Sequence, residues 1–340
     1  GHNIKMRIQI QYINAYGEAE AGIDVGGLFK DFVTELSDRI FDPSYGLFSM
    51  TDQNYLYPNP AAPQLYDEHE LVDLFSFLGR VLGKALYENI TLQPQFAHFF
   101  LAFMHGRYNF QHMLSDLVTL DPELHKNLLF LKNYDGDVQD LCLTFSVSDN
   151  ALGGASEVAL FPGGEDVEVT SANRHQYINA VAKHYLHDRL KTQAGAFFHG
   201  LYQALDRDLL GMFAAPELQV LISGASTGIN LDDLKSHCRY NGYTGLDRTI
   251  LNFWAVLEGM SERDRALLVK FVTSCERPPS LGFSSLDPPF SIQRGPNDDT
   301  RLPTASTCFN VLKLPVYSSK AKLEEKLLAA IRSGAGFELS

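Results

Sequence analysis

Apolar positions change period several times along the chain, and each change predicts an element. Met6 to Ile13 (MRIQIQYI) alternates with the two-residue repeat of a strand. Glu20 to Gly27 (EAGIDVGG) predicts a turn, with Asp24 near the start of a helix over Leu28 to about Ile40. Asn54 to Pro60 is extended and ends in prolines. Asp67-x-x-Glu70 is a capping box for a helix reaching about Glu88, whose Gly79 and Gly83 would admit a second helix closely. Phe96, Phe99, Phe100 and Phe103 predict an aromatic core helix over Pro94 to Met104. Asp121 and Pro122 suit the cap and first turn of the next helix. There Leu124, Leu128 and Leu131 share one stripe, while Leu129 and Phe130 point elsewhere.

Three strands are expected next: Leu141 to Val147, Glu157 to Phe161 and, after the turn Pro162-Gly163-Gly164, Asp166 to Val169. A long helical region follows, from Thr170 as N-cap to about Leu205, with a short helix over Pro216 to Ile222. Ser223 to Gly228 (SGASTG) is the strongest linker signal in the chain. Beyond it, Asn230 opens a short helix, and Asp247 to Leu257 holds the only tryptophan, Trp254. Ser261-Glu262-Arg263-Asp264 caps a helix ending before Arg277-Pro278-Pro279. Leu281 to Ile292 reads as strand and turn, Phe309 to Leu314 as a strand, and Lys320 to Ile331 as an amphipathic helix ahead of a tail, Gly334 to Ser340. The fold class expected is α+β.

At 340 residues and 45% hydrophobic content, two domains with real cores are the natural expectation. The net charge of −13 argues against a phosphate backbone as partner, so no nucleic acid is expected. Cysteines 142, 238, 275 and 308 show no CxxC spacing, which argues against both a zinc site and a disulfide scaffold. His184 and His187 share a helix face without a third ligand, and the glycines after Gly22 lack phosphate-loop spacing, so neither metal nor cofactor is expected. A reducing, intracellular location fits, cytoplasmic with the nucleus as an alternative. No apolar run reaches membrane-spanning length and no signal peptide opens the chain. Gly1-His2 reads as a cloning remnant, and the abrupt start as that of a fragment.

One cysteine stands out chemically. Cys308 follows a polar run (RLPTAST) and precedes an apolar one, so its thiol should sit at a loop-to-strand junction. Arg301 and Lys313 are candidate cations for a thiolate, and Thr307 a candidate hydrogen-bond partner. The alternative is a buried free cysteine. A Cys-His protease would need a histidine from upstream, because none follows His237.

The run Leu302-Pro303-Thr304-Ala305-Ser306-Thr307-Cys308-Phe309-Asn310, followed by Leu312 to Pro315 and a chain end at Gly336-Phe337, resembles the catalytic signature of HECT-type ubiquitin ligases. The resemblance covers essentially the whole chain, including the Ala-Gly-Ile-Asp opening. It implies a bilobal α+β fold: a mainly helical N-lobe over 1–223, a hinge over 224–228 and a C-lobe over 229–340. Within the N-lobe, about 105–172 would be the subdomain that grips the conjugating enzyme. Cys308 would accept ubiquitin as a thioester and pass it to a lysine of a protein substrate or of ubiquitin. The family's aromatic residue fourth from the end would be Phe337; from chemistry alone, Thr307 would help tune the thiol, and Glu338 or the terminal carboxylate of Ser340 would position and deprotonate the lysine.

The groove for the conjugating enzyme would use Leu124, Asn127, Leu128, Leu131, Tyr134, Leu141, Leu143 and Tyr177. Gly224, Ala225, Ser226 and Gly228 would form the hinge, and Tyr55 a secondary ubiquitin surface. One departure stands out. Many members carry histidine two residues before the cysteine, and here that position is Ser306, as in a subgroup distant from the WW-domain ligases. That substitution feeds the alternative reading, a catalytically silent module that binds a conjugating enzyme.

Overall fold

The computed structural model describes residues 4–6, 8–11, 13, 27–105, 110–149, 156–224, 228–279 and 281–333. The turn expected at Glu20 to Gly26 and the tail from Gly334 lie outside the described residues. Among the described residues of the expected first strand, none belongs to a named strand.

Two compact units divide the chain. One comprises Arg39–Tyr87 and Pro94–Gln219; the other comprises Gly1–Asp38, Glu88–Gln93 and Val220–Ser340. This division falls inside the helix Ala215–Ser223, ahead of the expected hinge, and gathers 1–38 and 88–93 with the C-terminal residues. Hydrogen bonds supply the reason. Leu92 N donates to Ile222 O at 2.8 Å and Gln93 Nε2 to Ser274 O at 3.0 Å. Helix Gly27–Ile40, here α1, carries Lys30, whose Nζ donates to Asn310 Oδ1 at 2.8 Å.

The 39–87 and 94–219 unit is built on the helix pair Glu68–Tyr87 and Lys191–Tyr202. Asp67 caps the first, accepting from Glu70 N at 2.9 Å. As the glycine spacing anticipates, the two backbones nearly touch: a Cβ on Gly83 would lie 2.9 Å from Leu201 O. Phe48, Phe75, Phe96, Phe100 and Phe197 are fully buried beside this pair, with neighbouring ring centroids 5.2–6.5 Å apart. Each such ring contributes roughly 1.5–3 kcal/mol on burial. Strand β2 (Leu56–Pro58), inside the extended segment, pairs antiparallel with β1 (Phe48–Met50) ahead of it.

The small subdomain holds the helix Pro122–Lys132, capped by Asp121, which accepts from Leu124 N at 2.8 Å. Its sheet is smaller than expected. Strands β3 (Ser146–Asp149) and β4 (Ser156–Ala159) pair antiparallel, but Val138–Leu141 is a 3-10 turn. The third strand is absent: Gly164–Asp166 is another 3-10 turn, and Glu168 makes only one bridge, to Thr144. Gly163, at φ 80°, opens that turn in the left-handed region, so the chain coils through Asp166 and pairs only beyond it, where Val167 O accepts from Phe145 N at 3.0 Å and Val169 N donates to Leu143 O at 2.8 Å.

The long helical region is also broken, into Arg174–Leu186 and Lys191–Tyr202 with a 3-10 turn Asp188–Leu190 between. Thr170 does not cap it; Asn173 Oδ1 instead accepts from Thr170 N at 2.7 Å. His184 is buried, and His187 Nδ1 meets Asp188 Oδ1 at 2.6 Å.

The second unit centres on a four-stranded sheet in the order β5-β6-β8-β7: Arg239–Asn241, Ser291–Arg294, Val311–Leu314 and Thr304–Ser306. The first three run parallel, and β7 returns antiparallel to β8. Ile292, Leu312 and Leu314 are solvent-free beneath Phe253, Trp254, Leu268, Leu323 and Leu327. The expected caps form: Asn230 accepts from Asp233 N at 3.1 Å and Ser261 from Asp264 N at 3.2 Å. Helix Lys320–Ser333 is anchored through Arg332, whose two nitrogens each donate to Asp264 at 2.9 Å.

Candidate active site

Pairing of β7 with β8 ends at Ser306↔Val311, leaving four residues to reverse the chain. They do so as a 3-10 turn, Thr307–Phe309, closed by Asn310, whose N–H donates to Thr307 O at 3.3 Å. The backbone of Cys308 therefore lies at a tight reversal between two strands. Phe309 belongs to the turn and not to the strand, and at 40% exposure it brings the turn to the surface. Asn310 adopts φ 52°, a conformation asparagine tolerates better than most residues.

This turn is held from three directions. Asn310 Nδ2 donates to Pro288 O at 2.6 Å, and Ser291 N donates to Asn310 O at 2.9 Å. The third set comes from α1. Lys30 Nζ donates to Thr307 O at 3.3 Å as well as to Asn310 Oδ1 at 2.8 Å. Thr307 Oγ1 donates to Asp31 Oδ1 at 3.0 Å. Thr307 and Asn310 are both buried and Lys30 and Asp31 half-buried, so these bonds are partly shielded from water.

Two expectations change. Thr307 was expected to tune the thiol, but its single hydroxyl proton is directed at Asp31. The candidate cations were Arg301 and Lys313. Arg301 is an exposed side chain 3.8 Å from Asp298, and Lys313 lies in β8 opposite Thr304. The cation that hydrogen-bonds the turn is Lys30, which sequence proximity could not reveal because it lies 277 residues from Thr307.

Of the expected groove residues, Leu128 and Leu131 are buried, as is Tyr177, whose ring stands edge-on to Phe145 at 5.5 Å. Burial pushes the Tyr177 hydroxyl above the ordinary phenol range. Tyr177 is thus packed inside the subdomain. Leu124, Tyr134, Leu141 and Leu143 are half-buried and Asn127 is exposed. Tyr134 lies 5.4 Å from Phe130, which is 61% exposed and was not singled out by its helical phase. Tyr55 is half-buried, its ring 6.1 Å from His98.

Gly224 adopts φ 79°, and a Cβ there would meet Pro278 O at 2.5 Å; one on Gly228 would meet the Glu262 carboxylate at 2.8 Å. Ala225, Ser226, Phe337 and Glu338 lie outside the described residues. Of the other cysteines, burial pushes the Cys238 thiol up to about 12 and raises that of Cys275, whereas Cys142 is exposed. Among the described residues no group of histidine, cysteine and carboxylate side chains could hold a metal ion. No described helix is long and apolar enough to cross a membrane.

Comparison with known proteins extends this geometry. A family model described as HECT-domain (ubiquitin-transferase) matches residues 34–340. The chain is similar to a probable E3 ubiquitin protein ligase of Schizosaccharomyces pombe, at 45% identity over 342 residues, covering 100% of this chain and 33% of that protein. It is 42% identical over 344 residues to E3 ubiquitin-protein ligase UPL6 of Arabidopsis thaliana, covering 99% of this chain and 33% of the relative. Ubiquitin-protein ligase E3B of Homo sapiens is 41% identical over 368 residues, covering 100% of this chain and 34% of that protein. The chain spans about a third of the length of these curated relatives.

Proposed function

This chain belongs to the HECT-domain (ubiquitin-transferase) family, and we propose on that premise that it is the ubiquitin-transfer domain of an E3 ligase with Cys308 as acceptor. The observation that carries the choice of acceptor is the position of Cys308 in the tight, surface-reaching turn between β7 and β8. The thiols of Cys238 and Cys275 are raised by burial, which leaves them poor nucleophiles.

In the first step the Cys308 thiolate attacks the thioester carbonyl of a loaded conjugating enzyme. The tetrahedral adduct collapses, the conjugating enzyme's cysteine leaves as thiolate, and ubiquitin is esterified to Cys308. One thioester replaces another, so the step needs little driving force and depends on presentation of the sulfur. In the second step a deprotonated lysine amine attacks that carbonyl, Cys308 departs as thiolate, and an isopeptide bond forms. Glu338 is the proposed carboxylate that receives the amine proton, with Phe337 docking the tail.

Leu124, Asn127, Leu128, Leu131, Tyr134, Leu141, Leu143 and Tyr177 form the proposed gripping subdomain for the conjugating enzyme, and Tyr55 part of a second ubiquitin surface. Residues 1–223 and 229–340 are the proposed lobes. Their connection at 224–228 is supported as a bend by the left-handed conformation of Gly224. A reducing compartment, cytoplasmic or nuclear, keeps the acceptor as a free thiol.

The test mixes the chain with ubiquitin, activating enzyme, conjugating enzyme and ATP. A reductant-sensitive adduct should form and vanish in Cys308→Ala, while binding to the conjugating enzyme persists. Binding without an adduct in the unsubstituted chain would favour the silent-module reading that Ser306 suggests.

A further inference from the structure

We propose that Lys30 and Asp31 are positioning residues for Cys308, acting as a clamp from α1 on the turn that carries the acceptor. The inference rests on the reading of Cys308 as acceptor and adds to it where the acceptor's geometry comes from. Lys30 spans the turn. Its ammonium binds the carbonyl of Thr307, just before the cysteine, and the side-chain carbonyl of Asn310, two residues after it, at 3.3 and 2.8 Å. Asp31, the next residue of the helix, takes the Thr307 hydroxyl at 3.0 Å. Three hydrogen bonds from adjacent residues of one helix thus bracket Cys308 on both sides.

Such bonds to ionised groups are stronger than neutral ones, and here they act on the buried Thr307 and Asn310. The turn needs them. Its own closure is one 3.3 Å bond from Asn310 N to Thr307 O, and Asn310 occupies the left-handed region. An acyl transfer between two large proteins depends on where the sulfur is held, since small misplacements cost rate heavily. Both residues precede the stretch 34–340 matched by the family model. The clamp therefore comes from beyond that recognised stretch.

Single-turnover transfer from a loaded conjugating enzyme tests this on the whole chain, with the saturating rate separated from the half-saturating enzyme concentration. Lys30→Met should lower the saturating rate about 10- to 100-fold and leave the half-saturating concentration unchanged. Lys30→Arg, which keeps donors for both carbonyls, should recover most of the rate. A double-mutant cycle guards against loss of folding. Asp31→Ala and Thr307→Val, each checked by its melting curve, should combine with no further loss, because each removes the same bond. A wild-type or faster rate in Lys30→Met, no rescue by arginine, or full additivity in the cycle would overturn the clamp. Failure of the unsubstituted chain to form any adduct would instead overturn the reading of Cys308.

Discussion

A Cβ added to Gly79 would lie 1.8 Å from the carbonyl oxygen of Phe197, inside any tolerable contact. The closeness is reciprocal, since one on Gly200 would lie 2.0 Å from Ser76 O. Backbone meets backbone, so no side chain can turn aside. Gly79→Ala or Gly200→Ala should therefore cost about 3 kcal/mol or more, read as a lower denaturation midpoint. Gly195, on the exposed face of the same helix with nothing within 4 Å, is the control. Gly195→Ala should stabilise by about 0.5–1 kcal/mol.

The pair Asp264–Arg332 makes stability depend on acid. Hydrogen bonding from Arg332, then from Ser261, holds the Asp264 carboxyl below the usual carboxylate range. A carboxyl depressed in the folded state adds stability above its unfolded value, and that contribution is lost as pH falls through the folded value. Arg332→Met should lower the melting temperature at neutral pH. The gap from the unsubstituted protein should narrow below about pH 4. A gap that stays constant across this range would refute the assignment.

The remaining thiols should separate by reactivity. With Cys238 pushed up to about 12, only about one molecule in ten thousand carries its thiolate at mildly alkaline pH. Cys275 is buried and likewise raised. Brief iodoacetamide treatment followed by peptide mapping should find Cys142 alkylated well before either of them.

Tyr134 and Tyr177 should respond differently to truncation. Tyr177→Ala removes a buried ring packed on Phe145 and should destabilise the fold by about 3 kcal/mol. Tyr134→Ala and Phe130→Ala remove a half-buried and an exposed ring. Both should weaken conjugating-enzyme binding, measured by calorimetry, with little change in melting temperature. Unaltered affinity in both would move the docking surface elsewhere.

Deleting the last four residues should leave thioester formation on Cys308 intact and impair transfer to lysine, followed in separate single-turnover assays. Equal survival of both steps would remove Phe337 and Glu338 from the mechanism.

Local chemistry was the most readable part of the chain. Asp67, Asp121, Asn230 and Ser261 each cap the helix their spacing announced, because a cap involves only the next few residues. The expected strand at Asp166 to Val169 shrinks to one bridge because Gly163-Gly164 coils the chain through Asp166, leaving only Val167 to Val169 to pair with Leu143 to Phe145. The junction that carries Cys308, ahead of the strand, was legible from its neighbours. What holds its turn was not: Lys30 and Asp31 are distant in sequence, and nothing in an ordinary Lys-Asp pair on a helix announces its target. The direction of the Thr307 hydroxyl was hidden for the same reason.

The scattered make-up of the second unit bears on biosynthesis. During synthesis Lys30 is made 277 and 280 residues ahead of Thr307 and Asn310. The stretch 39–219, apart from 88–93, belongs to the first unit and can collapse while translation continues. α1 must wait for these partners until residues 307–310 have been made. The acceptor turn is thus completed only when both α1 and residues 307–310 exist, so a nascent polypeptide cannot present it in finished form while the residues between them are still being made.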